Sequence, residues 1–222
     1  MQTLGYFMYI SEQKHMEILV IAATAAEISP FLRLPEQQRR GIDVLVTGVG
    51  MVATAFAVGG RLAAARYDLL VNVGIAGSFD RTIPLGEVVN VYQDTLAELG
   101  AADGELFADS EALGLAPHTF RNSPHLAGAV LDGLRTCKGI TVNTVHGNPS
   151  AIAAIVQRLK PDTESMEGAA VFYAAHQSGI PAVQVRAISN YVERRNKASW
   201  QIPLAIENLN RWLAAFAQTR PS

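Results

Sequence analysis

Short unbroken apolar runs alternate along this chain with longer stretches in which apolar residues recur every three or four positions. The first run, Glu17-Ile-Leu-Val-Ile-Ala-Ala23, ends in small residues and reads as a buried strand. Further strands are predicted at 42–47, 69–73, 87–96, 139–145 and 181–189. Helices are predicted over 25–34, 51–66, 124–135, 149–159, 166–178 and 200–218, the last of them long and amphipathic. Pro149 suits a first helical turn, where its missing N–H has no partner to lose, and Gly179 suits a helix stop. The interval 98–124 holds five Gly or Pro residues among scattered acids and reads mostly as loop. Strands alternating with helices in this way predict an α/β chain folded as a three-layer α/β/α sandwich.

Composition narrows the class. At 222 residues the chain suits one large domain, expected over 17–222. Hydrophobic residues make up 49% and aromatics 7%, an Ala/Val/Ile-rich balance that suits strands covered by helices. The net charge of −2, without a run of like charges, gives no support to a nucleic-acid partner or an anionic membrane surface. The apolar patch at 4–10 lacks a basic start and is too short to cross a bilayer, so 1–16 is expected to be a flexible leader. The single cysteine, Cys137, excludes an internal disulfide and fits a reducing cytoplasm.

Two segments stand out chemically. Glu164-Ser-Met-Glu-Gly-Ala-Ala170 sets a carboxylate and a thioether at the mouth of a helix, suited to gripping a sugar. Val185-Arg-Ala-Ile-Ser-Asn190 ends a strand on a neutral amide, suited to reading a heteroaromatic base. Glu27 lies just past the first strand, where open α/β sheets bind ligands, although a first-turn acid also stabilises a helix by itself. The same two readings apply to Glu167, and with Glu164 nearby one acid can serve the helix and the other a ligand.

Asn72-Val-Gly-Ile-Ala-Gly-Ser78 has small residues that let backbone N–H groups approach a ligand, or simply make a turn. Thr47-Gly-Val-Gly50 is an incomplete dinucleotide fingerprint, since Ala53 replaces the third glycine and Asn72 stands where an acid is needed. His118 and His146 fall in predicted loops, where lone histidines are usually solvated. No His/Cys/Asp spacing suggests a metal and no Gly-x-Ser-x-Gly elbow is present, so no cofactor is expected.

In order along the chain, Ile21-Ala-Ala-Thr-Ala-Ala-Glu27, Thr47–Gly50, Asn72–Gly77, Glu164–Ala170 and Arg186–Asn190 resemble the nucleoside phosphorylase and nucleosidase superfamily. The likeness runs from about Glu17 to Phe216. It implies a phosphorylase/hydrolase-like sandwich with a central mixed sheet, cleaving N-ribosidic bonds through an oxocarbenium-like sugar. It also implies roles. Glu27 would polarise the attacking water, and Glu167 would bind the ribose 2′- and 3′-hydroxyls by charge-assisted hydrogen bonds. Met166 would pack beneath the sugar, while Ser189, Ala76, Gly77 and Val145 complete the expected substrate contacts.

Asn190 falls where adenine-specific members carry an aspartate. An amide NH₂ can donate to N7 and O6 of a 6-oxopurine, and would stabilise the departing base by hydrogen bonds that strengthen as charge builds. A flipped amide can also pair with adenine. Asn72 replaces an arginine that binds phosphate in some members, which with Glu27 favours water as nucleophile. Glu98–Gly104, Thr141–Thr144 and Ser189–Val192 look most like a branch whose hypoxanthine nucleoside carries a carboxylated tail. His118, Arg121 and His146 are the candidate cations for such a tail, and no aromatic aligns at 144–147 to cover the base. Related members are dimers, which implies a homodimer or higher homo-oligomer, with 98–124 available to close a partner's site. The rival readings are an adenine-releasing methylthioadenosine-type nucleosidase, a purine nucleoside phosphorylase and a non-catalytic nucleoside-binding protein.

Overall fold

Two parallel ten-residue strands, β3 (Leu69–Ser78) and β10 (Ala182–Tyr191), form the spine of the protein. Both are covered on two faces, which is why they read as nearly continuous apolar runs. The computed structural model describes residues 16–104, 106–123 and 131–219. Before β3 come β1 (Ile18–Ala22), α1 (Ala25–Leu32), β2 (Ile42–Val46) and α2 (Met51–Ala64). Between the two long strands lie β4 (Val88–Leu96), β5 (Gly100–Asp103), β6 (Leu106–Asp109), β7 (Thr119–Arg121), β8 (Arg135–Thr141), α3 (Pro149–Leu159), β9 (Thr163–Ser165) and α4 (Gly168–Ser178). The helix α5 (Ile202–Thr219) follows β10.

The main sheet has eight strands in the order β10-β4-β8-β9-β3-β1-β2, with β7 on β4. It is mixed, as expected: β10–β4, β3–β9 and β4–β7 are antiparallel and the other pairings parallel. Because β10 also pairs β3, the strands β3, β10, β4, β8 and β9 close on themselves while β1 and β2 extend the sheet outward. Helices cover both faces, preserving the sandwich. Leu209, Leu213 and Phe216 of α5 pack with Ile28 and Phe31 of α1 over one face. Val58 of α2 and Ala169, Val171 and Phe172 of α4 pack over the other.

Several expectations change. The 98–124 interval, mostly turn and loop among the described residues as expected, also contains the β5–β6 hairpin and β7; these strands are only three or four residues long, so no apolar alternation announces them. The helix expected over 124–135 cannot reach its end, because β8 begins at Arg135; residues 124–130 lie outside the described residues. β8 also stops at Thr141, short of the predicted 145. β9 was not foreseen, being three residues long, and it delays α4 to Gly168 instead of 166. Of the expected leader only Met16 is described, and it packs against the core.

A buried polar chain crosses the closed part of the sheet. Asn72 Nδ2 donates to Gln184 Oε1 at 2.9 Å, and Gln184 Nε2 donates to Asp94 Oδ2 at 2.7 Å. Thr141 Oγ1 donates to Asp94 Oδ1 at 2.9 Å and accepts the Ala169 N–H at 2.7 Å. Strands β3, β10, β4 and β8 are thereby tied to the start of α4. Gly168 is required there: a Cβ would stand 2.0 Å from Gln184 Oε1 and 2.1 Å from Asp94 Oδ2.

Burial pushes the Asp94 carboxyl up to about 6 from an ordinary 3.8, with the hydrogen bonds from Gln184 and Thr141 opposing the rise. A carboxyl whose folded pKa is raised contributes stability that is present below its unfolded value and lost as pH rises through the folded value. The stability of wild type relative to Asp94→Asn should therefore fall between about pH 4 and pH 6, by up to roughly 3 kcal/mol, and level off above. Urea denaturation across pH 4–8 measures this; a pH-independent difference would show that Asp94 is ionised in the folded core.

Candidate active site

The carboxyl ends of β1, β3 and β10 converge with the β2–α2 turn and the β9–α4 segment on a cavity of about 450 Å³. Glu27, Ala76, Gly77, Val145, Met166, Glu167, Ser189 and Asn190, the residues expected at the site, all line it. The volume is that of a small-molecule pocket.

Glu27 caps its helix and also lines the cavity. It closes a capping box at the start of α1, its Oε2 accepting the Thr24 N–H and hydroxyl, each at 2.9 Å. Its Oε1 accepts the Ile75 N–H of β3 at 3.1 Å, fixing the carboxylate at the cavity floor. Glu167 behaves differently. It stands at the N-cap of α4 but makes no side-chain cap bond, and its Oε1 instead accepts the Gly50 N–H at 3.0 Å. Gly50 has φ +96°, a conformation open to glycine, so the Gly-Val-Gly turn serves to aim an N–H at this glutamate.

Arg186 was quoted in the sequence motif but given no role, and it proves central. It is fully buried, with Nη2 donating to Gln184 Oε1 at 3.2 Å and Nη1 3.8 Å from Glu167 Oε2. Its Nε has no partner among the described residues. A Cβ on Gly74 would stand 2.2 Å from Arg186 Nη1 and 2.9 Å from Glu27 Oε1, so the guanidinium and that carboxylate share the space this glycine leaves. One cation thus sits beneath two carboxylates. A charged residue inside an otherwise apolar buried strand was the available signal.

Ser189 and Asn190 owe their placement to a β-bulge. Ile188 pairs Ala76 and Asn190 pairs Gly77, which leaves Ser189 as the extra residue and re-aims both side chains. The freed Ser189 carbonyl accepts the Gln201 N–H at 2.7 Å, anchoring the approach to α5. Asn190 Oδ1 accepts the Ser189 hydroxyl at 2.8 Å and Nδ2 donates to the Tyr191 carbonyl at 3.1 Å. A carbonyl only accepts, so the amide NH₂ lies on the Tyr191 side and keeps one free proton. The sequence reading had given both protons to the base.

The other glutamate, Glu164, is buried on β9 and faces His146. Its Oε2 lies 2.7 Å from His146 Nδ1 and its Oε1 accepts the His146 backbone N–H at 3.1 Å. Burial raises its pKa, with His146 opposing. Toward the open end the cavity is lined by Tyr191, Arg195 and Trp200, the Arg195 guanidinium lying 5.3 Å from the centre of the Trp200 ring. Neither Arg195 nor Trp200 was singled out from the sequence, because both lie outside the matching motifs.

Three residues weighed earlier do not reach the cavity. Asn72 belongs to the core polar chain, so its identity says nothing about a phosphate site. His118 is buried 3.9 Å from Asp109 and 3.4 Å from Glu111, near enough for attraction but without hydrogen-bond alignment at Nδ1. Arg121 donates to Gln93 on the exposed side of β7. Among the described residues no three His, Cys, Asp or Glu side chains cluster to hold a metal. No helix among them is long and apolar enough to cross a membrane.

With two carboxylates over a buried arginine and an amide on a bulge, the cavity has the parts of a site that grips a polyhydroxyl group beside a heteroaromatic ring. The chain matches the Phosphorylase superfamily over residues 18–219 and belongs to that family. Among curated proteins it is 36% identical to the futalosine hydrolase of Streptomyces coelicolor, covering 80% of this chain and 77% of that one. Its fold matches the futalosine hydrolase of Helicobacter pylori strain 26695 with a TM-score of 0.77 at 17% identity, covering 91% of this chain and 97% of that one. It also matches the 5′-methylthioadenosine/S-adenosylhomocysteine nucleosidase of Colwellia psychrerythraea solved with adenine, with a TM-score of 0.78 at 19% identity, covering 92% and 95%.

The Gly74 packing gives a direct test. Gly74→Ala must push apart Arg186 and Glu27, and overpacking of this kind costs about 1–3 kcal/mol. Gly59→Ala, in open space on α2, should be neutral or stabilising. Urea midpoints of the two variants should separate in that sense; equal midpoints would show that the guanidinium moves freely.

Proposed function

We propose that this chain hydrolyses the N-ribosidic bond of futalosine, releasing hypoxanthine and dehypoxanthine futalosine, as a cytoplasmic step of menaquinone biosynthesis. The observation that carries the reading is the placement of Glu27 and Glu167 on either side of Arg186, under the Ser189–Asn190 bulge. The likeness to curated futalosine hydrolases supplies the substrate.

In this reading Glu167 accepts the ribose 2′- and 3′-hydroxyls, and Met166 packs beneath the sugar. The bond between the anomeric carbon and purine N9 breaks with its electron pair passing into the base. Asn190 stabilises that growing charge through its remaining N–H, as an oriented dipole and not as an acid. A water held near Glu27 attacks the anomeric carbon and gives its proton to the carboxylate, and the departing base takes up a proton from solvent. Arg186 balances the charge of both glutamates from beneath the floor.

Water is favoured over phosphate by the charge of the floor. Glu27, Glu164 and Glu167 surround the cavity's inner end, and the one guanidinium beneath them is already offset by two carboxylates. A phosphate dianion would enter an acidic environment. An adenine-releasing nucleosidase is the second reading, supported by the fold match to the Colwellia protein. It is disfavoured because Asn190 stands where adenine-specific members carry an aspartate, and because curated futalosine hydrolases match this chain at higher identity than a curated 5′-methylthioadenosine/S-adenosylhomocysteine nucleosidase does. A homo-oligomer belongs to the same proposal: Val49, Val52 and Phe56 form an exposed apolar strip beside the cavity that a second copy would cover.

The tail of futalosine is a benzoate, and Arg195 over Trp200 is the cation and aromatic pair that suits it, in place of His118 and Arg121. Arg195→Ala should raise KM for futalosine about twofold to fivefold, the range of an exposed ion pair, while leaving inhibition by hypoxanthine unchanged. An unaltered KM would place the benzoate elsewhere.

In phosphate-free buffer the protein should release hypoxanthine from futalosine, followed chromatographically. Release only with phosphate, or of adenine alone from an adenine nucleoside, would overturn the proposal. Glu27→Gln should lower kcat about 10²–10⁴-fold with KM changed little. Wild-type turnover in that variant would remove Glu27 from the mechanism.

A further inference from the structure

The Glu164–His146 pair has no part in the sugar chemistry, yet it sits beside the place given to the base. Glu164, Gly77 and Asn190 lie in one row across β9, β3 and β10. A Cβ on Gly77 would stand 3.2 Å from Asn190 Nδ2 and 3.6 Å from Glu164 Cγ. Gly77 thus lies between the amide and the pair, with the Val192 side chain packed 3.0 Å from the same point. His146 lines the cavity, and among the described residues only Nδ1 of its ring is hydrogen-bonded, at 2.7 Å to Glu164. Its ring edge also meets Phe79, the two centroids 6.2 Å apart, which restrains its rotation.

We propose that His146, oriented by Glu164, is the specificity residue that reads N1 of the purine and selects the 6-oxopurine. The argument is one of proton inventory. A carboxylate only accepts, so the proton of a neutral imidazole is held on Nδ1 and Nε2 presents a lone pair to the cavity. Hypoxanthine carries a proton on N1 and meets that lone pair as a donor. Adenine carries a lone pair on N1 and meets it with repulsion. Asn190 and His146 then read two different edges of one ring, and the pair supplies discrimination that a single amide N–H, which N7 of either purine can accept, does not give alone. His146 is the binding residue and Glu164 its positioning residue. This assignment rests on the nucleosidase reading of the cavity.

Glu164→Gln tests it through a predictable tautomer change. The backbone N–H of His146 holds an acceptor at the Oε1 position, so the new amide keeps its carbonyl there and turns its NH₂ toward Nδ1. Nδ1 must then accept, and Nε2 becomes the donor. The ratio of kcat/KM for the 6-oxopurine nucleoside to that for its 6-aminopurine counterpart should fall at least tenfold, with the amino form holding or gaining activity. His146→Phe, which removes the lone pair, should also lower the ratio. A merely structural role would depress both substrates together and leave the ratio unchanged, which would overturn the proposal.

The unmodified protein gives an independent measurement. Long-range proton–nitrogen spectra of labelled histidines should show His146, identified by its loss in His146→Phe, protonated on Nδ1 in the presence of hypoxanthine. A doubly protonated ring or the Nε2–H tautomer would overturn the assignment. Hypoxanthine release with an unshifted ratio would sink the dyad and keep the nucleosidase. Failure to release any base would sink the nucleosidase reading, and the spectra need no turnover to decide the tautomer.

Discussion

A guanidinium buried without access to water has to be neutralised by its neighbours, and Arg186 imposes that condition on the whole site. Its charge is met by Glu167 at one edge and by Glu27 across the space left by Gly74. Its Nη2 is held by Gln184, the hub of a polar chain through Asn72, Asp94 and Thr141. The carboxylates that face the cavity are thereby coupled to the strands that close the sheet. Pre-organised charge in a dry floor is the condition under which hydrogen bonds and dipoles act most strongly on a reacting centre.

Glycine positions recur wherever this arrangement is tight, each for a spatial reason. Gly74 admits the guanidinium, Gly77 admits the Val192 side chain between amide and glutamate, and Gly168 lets α4 start against Gln184 and Asp94. The bulge at Ser189 adds a second device, turning Asn190 out of the ladder while its neighbour's hydroxyl fixes the amide. Together these place the Glu167 carboxylate and the Asn190 amide on the wall of one cavity.

Much of the architecture was legible because its elements are long or strongly patterned. The strands β1, β3, β4 and β10 were visible as apolar runs, and α2, α3 and α5 by period. The elements that were missed share a physical property: they take their stability from neighbours and not from their own residues. β9 is three residues long and exists because β3 and β8 both pair with it. β5 is exposed throughout, β6 has no buried residue, and the two pair with each other. β8 begins with Arg135 and Thr136, a polar start that resembles a helix end more than a strand.

The sequence by itself determined the class of fold, through the alternation of apolar runs and amphipathic stretches, and the identity of most side chains brought to the cavity, through five short motifs in order. Only the tertiary structure decided what each side chain does. Glu27 and Glu167 look alike as first-turn acids, but one caps its helix while the other reaches across 117 positions to Gly50. Asn72 and Arg186 both lie in strands that end at the cavity, yet one amide faces the core and the one cation faces the carboxylates. Strand pairing, bulge position and the free space above a glycine fix these directions, and all three arise from contacts between residues far apart in the chain.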